Sequence, residues 1–175
     1  LARRWAPVFP ASYRERYSVL VAVSDVDRIE AAASGGGIGL NLYRPVAAAP
    51  HQGRLKLYRA GEPVALSSVL PMLEAMGLVV IAEVPHEIQP ATPGAQAVWI
   101  HDFEVESANG SALDVSERRE SFHDALAAVW RNDAESDGFN RLVLTAGLGW
   151  REVMVLRAYT KYLRQAGTTY SQAYI

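Results

Sequence analysis

Any chemistry in this 175-residue chain must be carried without a thiol, because the sequence contains no cysteine. Thiol catalysis, iron–sulfur ligation and cysteine zinc sites are excluded together. His51, His86 and His123 stand in unrelated elements, with no i, i+4 pair to present two imidazoles to one metal. His101 and Asp102 are adjacent in Trp99-Ile100-His101-Asp102-Phe103, but that run reads as a strand, whose neighbours point to opposite faces, so His101 reads as a structural histidine. No Gly-x-Ser-x-Gly elbow surrounds Ser67, Ser68, Ser111 or Ser121. The run Gly35-Gly36-Gly37-Ile38-Gly39-Leu40 follows a helix and precedes a strand, the reverse of a dinucleotide loop, and lacks the final glycine. Asn109-Gly110-Ser111 fits a glycosylation sequon but reads better as a turn, since Asn-Gly favours positive φ. No catalytic, cofactor-binding or metal-binding residue is assigned.

One stretch has the makings of a ligand site. Between a strand at 55–59 and the helix after it, Gly61-Glu62-Pro63 turns the chain, and the backbone N–H groups at Leu66 and Ser67 open a helix whose dipole favours a carboxylate. The expected effector-binding residues are therefore Gly61, Leu66 and Ser67, with Ser67 also able to cap the helix. A second feature is the basic face of Arg157, Lys161 and Arg164, a solvated surface or a docking face.

The elements that position these residues follow from periodicity. Residues 1–17 read as an irregular lead-in interrupted by Pro7 and Pro10 and basic through Arg3, Arg4, Arg14 and Arg16. Ser24 caps a helix over 24–34 with Asp25 and Asp27 in its first turn. Strands follow at Ile38–Tyr43 and Leu55–Arg59, then a helix from Ser67 to Gly77 that tolerates Pro71 only near its first turn. The run at 78–82, apolar on both faces, suits a central strand, and residues 97–105 alternate, with Trp99, His101, Phe103 and Val105 on one face. From Asp114 the period becomes 3.6, with Phe122, Ala125, Leu126, Val129 and Trp130 on one stripe, and helices follow at Phe139–Ala146 and Trp150–Gln165. The fold class expected is α+β: an ACT- or ferredoxin-like four-stranded antiparallel sheet with two helices, permuted to αββαββ, and a C-terminal helical annex. In that arrangement the helices share one face and the other is free for partners or ligands. Leu57, Leu70, Leu73, Ile81 and Ile100 are the expected core. The expected divisions are a lead-in at 1–23, an ACT-like regulatory domain at 24–106 and a helical segment at 107–175.

Composition bounds the function. Half the residues are hydrophobic and the formal charge is −2, so a core forms without staples and no basic field argues for nucleic acid or an anionic membrane. The start at Leu1 and the stop after a helical stretch at Tyr174-Ile175 give the expectation of a piece of something larger.

Four segments resemble the large bacterial NAD-specific glutamate dehydrogenases. FNRLVLTAGLGWREVMVLRAYTKYLRQ at 139–165 is similar to the stretch preceding their catalytic region, with Gly149 where the family's LSWRE pattern has Ser. RLKLYRAGEPVALSSVLPMLEAMGLVVIAEVPHEI at 54–88, VWIHDFEVE at 98–106 and the 133–141 run ending in DGFNR are similar to the regulatory region. The resemblance implies a parent enzyme that oxidatively deaminates glutamate with NAD as hydride acceptor, its catalytic residues and dinucleotide fold lying further along the polypeptide. It implies that this segment holds no catalytic site and no cofactor. Its partners would be the catalytic domain of the same chain, further copies in a homo-oligomer and an amino-acid effector, in the cytoplasm, with no nucleic acid or membrane. The alternative is a stand-alone amino-acid-sensing or oligomerisation module with no link to an oxidoreductase.

Overall fold

The computed structural model describes residues 8–35, 37–89, 94 and 96–167; Arg3, Arg4, Pro7, Gly36 and Tyr174-Ile175 lie outside them. The element order is α1 (Ala11–Arg16), α2 (Val19–Gly35), β1 (Ile38–Tyr43), β2 (Gln52–Ala60), α3 (Leu66–Ala75), β3 (Leu78–Ile88), β4 (Val98–Ser107), α4 (Val115–Trp130), a 3₁₀ turn (Gly138–Arg141), α5 (Leu142–Thr145) and α6 (Trp150–Gln165). The four strands form one antiparallel sheet in the order β1-β2-β4-β3.

Strand alternation divides the side chains between two cores. Leu42 pairs with Leu55, which pairs with Phe103, and with Leu57 and Val105 these residues are buried against Leu73 of α3 and Phe122 and Leu126 of α4. On the other face Tyr58 pairs with Ile100, and both are buried with Val98, Ile88 and the Tyr13, Val26 and Ile29 side chains of α1 and α2. The expected four-stranded permuted sheet and helical C-terminal region are present. Read from β4, the order β4, α4, β1, β2, α3, β3 is the ferredoxin-like βαββαβ with its first strand and helix moved to the end, so α3 and α4 are the paired helices. The face expected to be free is instead covered by α2, which packs on β1, β2 and β4.

Several local expectations change for physical reasons. The lead-in contains α1, and α2 starts at Val19, five residues before Ser24. Asp25 is therefore inside the helix, not in its first turn, and is buried. β3 is an edge strand, not a central one. A bulge between Val80 and Ala82 leaves Ile81 without a partner, turned outward and 53% exposed, so Ile81 is not in the core. Leu57, Leu73 and Ile100 are fully buried and Leu70 half-buried. Pro71 falls in the second turn of α3 and withholds the N–H that would reach the Ser67 carbonyl.

Candidate functional site

The loop from β2 to α3 brings Gly61, Leu66 and Ser67 together, with a pin that sequence did not reveal. Gly61 has φ +85°, the left-handed region where glycine alone is unstrained, and its N–H donates to the Ala97 carbonyl at 2.8 Å. The N-cap of α3 is Ala65, without a side-chain cap; Ser67 lies inside the first turn and does not cap the helix, as had been expected of it. Leu66 and Ser67 are exposed. Beneath them, the Val64 N–H donates to His101 Nε2 at 3.0 Å, and His101 Nδ1 lies 2.8 Å from Glu83 Oε1. Since Nε2 accepts, Nδ1 carries the proton and donates to the carboxylate. Buried His101 thus ties the loop to β3 and β4, while Asp102 points to the other face: the expected structural histidine.

Under α1 and α2 lies a polar cluster inside the second core. Asp25 accepts from Lys56 Nζ at 2.5 Å, from Tyr58 OH at 2.8 Å and from Tyr13 OH. Lys56 is fully buried, and its ammonium stands 3.9 Å from the centroid of the Tyr17 ring. Asp102 accepts from Arg54 Nε at 3.0 Å and from Tyr17 OH. Burial, then the neighbouring carboxylate, pushes the Tyr13, Tyr17 and Tyr58 hydroxyls far above the ordinary tyrosine range, so they remain donors. The only sequence signal is pairing across the sheet: Lys56 opposes Asp102, a polar pair on a face expected to be free for partners or ligands.

Two further contacts hold helices to the sheet unit and to each other. His123 of α4 accepts the Leu42 N–H at 2.9 Å through Nε2, and burial pushes its imidazole down to about 4. Arg157 is buried, which corrects the expected basic surface face. It makes a bidentate pair with Asp137 at 2.7 and 2.8 Å and donates to Asn140 Oδ1 at 2.8 Å. Lys161 reaches Glu135 at 2.5 Å. With Val153 and Thr160, Arg157 seats the inner side of α6, whereas Val155, Leu156, Tyr159, Tyr162 and Leu163 are exposed. Among the described residues no group of three or more His, Cys, Asp or Glu could hold a metal ion, and no helix is long and apolar enough to cross a membrane.

This architecture agrees with comparisons to known proteins. The family description "Glutamate dehydrogenase, ACT3 domain" matches residues 37–118, "helical motif 2" of the same enzyme matches 1–32 and "helical motif 3" matches 134–175. The chain is 42% identical over its whole length to an NAD-specific glutamate dehydrogenase of Halomonas elongata, covering 11% of that protein. It is 41% identical over 95% of its length to that of Pseudomonas aeruginosa, covering 10%, and 42% identical over 70% to that of Mycobacterium tuberculosis, covering 8%. The chain thus spans about a tenth of the length of the curated relatives it matches. With its sheet, its two flanking helical regions and full-length identity all agreeing, the chain belongs to the NAD-specific glutamate dehydrogenase family, as a segment carrying the third ACT domain between helical motifs 2 and 3.

Proposed function

We propose that this segment is a non-catalytic regulatory and coupling part of an enzyme that converts L-glutamate, NAD and water to 2-oxoglutarate, ammonium and NADH. NAD and the reacting groups belong to a catalytic domain elsewhere in the same polypeptide, and the parent works in the cytoplasm as a homo-oligomer. Within the segment, the ACT-like regulatory module is the sheet β1–β4 with its paired helices α3 and α4, α1 and α2 form its N-terminal cover, and the part from the 3₁₀ turn through α6 leads toward the catalytic domain, in place of the expected divisions at 23/24 and 106/107.

The observation that carries the coupling role is the outer face of α6. Val155, Leu156, Tyr159, Tyr162 and Leu163 recur at the spacing of one helical stripe and are all at least 40% exposed. Contiguous apolar surface of this kind marks an interface, and the relatives carry about nine-tenths of their length outside this segment. The occupant is that remaining polypeptide. Hydroxyl-radical labelling of Tyr159 and Tyr162 tests this: both label several-fold more slowly in the intact enzyme than in the 175-residue chain, and equal labelling would refute the docked face.

A second reading, amino-acid sensing at Gly61, Leu66 and Ser67, is favoured by the absent side-chain cap on α3. Titration of the intact enzyme with each amino acid other than its proposed substrate L-glutamate, repeated with Ser67→Asp to repel a carboxylate, distinguishes it. Saturable binding lost in the variant supports the site, and a flat titration removes it while leaving the α6 interface standing.

A further inference from the structure

The face of the sheet covered by α1 and α2 holds a histidine with no polar partner. His86, on β3, is 3% exposed, and neither Nδ1 nor Nε2 has a hydrogen-bond partner among the described residues. Its ring meets the Tyr13 ring at 5.3 Å between centroids and 83°, and the Tyr17 ring at 5.6 Å and 77°. Such an orphaned imidazole is costly to bury even when neutral.

A proton on this ring is worse placed still. Four charged groups face it: Arg16 from α1 and Lys56 from β2 oppose a cation, while Asp102 from β4 and Asp25 from α2 favour one. Both carboxylates are already committed, Asp25 to Lys56, Tyr13 and Tyr58 and Asp102 to Arg54 and Tyr17. An imidazolium would be sealed beneath aromatic rings with no free acceptor. The two rings against it come from α1, which carries Tyr13, and from Tyr17 just after α1.

We propose that His86 is a proton-operated release for the α1–α2 cover: proton uptake on its ring lifts these helices from the sheet and bares the face carrying Lys56, Tyr58 and Asp102. The release sits where two parts of the family meet, since α1 and most of α2 fall within the helical motif 2 match and His86 within the ACT3 match. Burial, the largest influence, holds the folded imidazole below its ordinary 6.5. The closed state therefore keeps its full stability above about 6.5 and loses it as pH falls from there toward the lowered folded value. For one proton the opening equilibrium rises by at most about tenfold per pH unit.

Hydrogen exchange on the full chain at about pH 7.5 and about pH 5.5, corrected for intrinsic rates, reads this opening directly. The expected result is about tenfold greater opening of α1 and α2 at the lower pH, with α3 unchanged, and loss of that rise in His86→Phe. His123 protonation acts instead on α4 and β1, where its own response is read. Equal protection of α1 and α2 at both pH values, or an undiminished rise in His86→Phe, would overturn the proposal. Should that variant not fold, NMR titration of the His86 ring in the unsubstituted chain decides: opening that tracks ring protonation supports the release, and opening with the ring still neutral overturns it.

Discussion

Breaking the Asp25–Lys56 pair from each side and from both predicts an asymmetric cycle. Asp25→Ala removes the acceptor for Lys56 and for the Tyr13 and Tyr58 hydroxyls at once. It strands an ammonium that is fully buried, with only the Tyr17 and Tyr13 ring faces, at 3.9 and 5.4 Å, as residual stabilisation. A broken buried pair of this kind costs about 3–5 kcal/mol. Lys56→Met leaves Asp25 with two tyrosine donors and costs about 1.5–3 kcal/mol, the scale of one lost charged hydrogen bond. The double variant Asp25→Leu with Lys56→Met leaves no buried charge in the pair. It stays within about 2 kcal/mol of the parent, well short of the sum of the single losses, because well-packed apolar replacements of buried pairs are often near neutral. Urea unfolding followed by tryptophan fluorescence, with one m-value imposed across the cycle, measures all three. A loss below about 1 kcal/mol for Asp25→Ala, or strict additivity in the double variant, would mean that α2 is not seated on the sheet through this pair.

Other consequences follow from the same contacts. His123→Gln, which can still accept the Leu42 amide, flattens the acid limb of stability. The imidazole is depressed to about 4 from 6.5, so its contribution is intact above about 6.5, declines between the two values and amounts to about 2 kcal/mol once partial solvent exposure is allowed for. Arg157→Ala costs about 3 kcal/mol and frees α6, detected as loss of protection there by hydrogen exchange. Leu73→Ala costs about 2–5 kcal/mol in urea unfolding, and a loss below about 1 kcal/mol would contradict the facing of α3. Gly61→Val is destabilising by roughly 1–2 kcal/mol through its positive φ alone, so a folded Gly61→Val chain of parental stability would contradict the turn geometry.

The strands on the α3 and α4 side were legible because Leu55, Leu57, Phe103 and Val105 repeat the two-residue period and face apolar helical stripes. α6 was found at Trp150–Gln165, the bounds it adopts. The second face was illegible for a definite reason: Lys56, Arg54 and Asp102 are charged residues on a face expected to be free for partners or ligands, and only tertiary pairing with Asp25, with one another and with three tyrosines buries Lys56 and Asp102 there. The same polarity hid the role of α2, whose Asp25 reads as a first-turn charge. Ile81 misled in the opposite sense, since a bulge cannot be seen in an unbroken apolar run. At the candidate site, Gly61 signalled its turn, but nothing local linked His101 to Val64 across 37 residues. Arg157 likewise looked like surface charge until Asp137 and Asn140 were brought against it.

The claim that this segment couples and regulates without performing chemistry is tested most directly by assaying the purified 175-residue chain for NADH formation from L-glutamate and NAD, beside the intact enzyme. The account predicts no NADH from the chain and no calorimetric signal for NAD, while the intact enzyme turns over under the same conditions. Linear NADH formation that copurifies with the chain would contradict it.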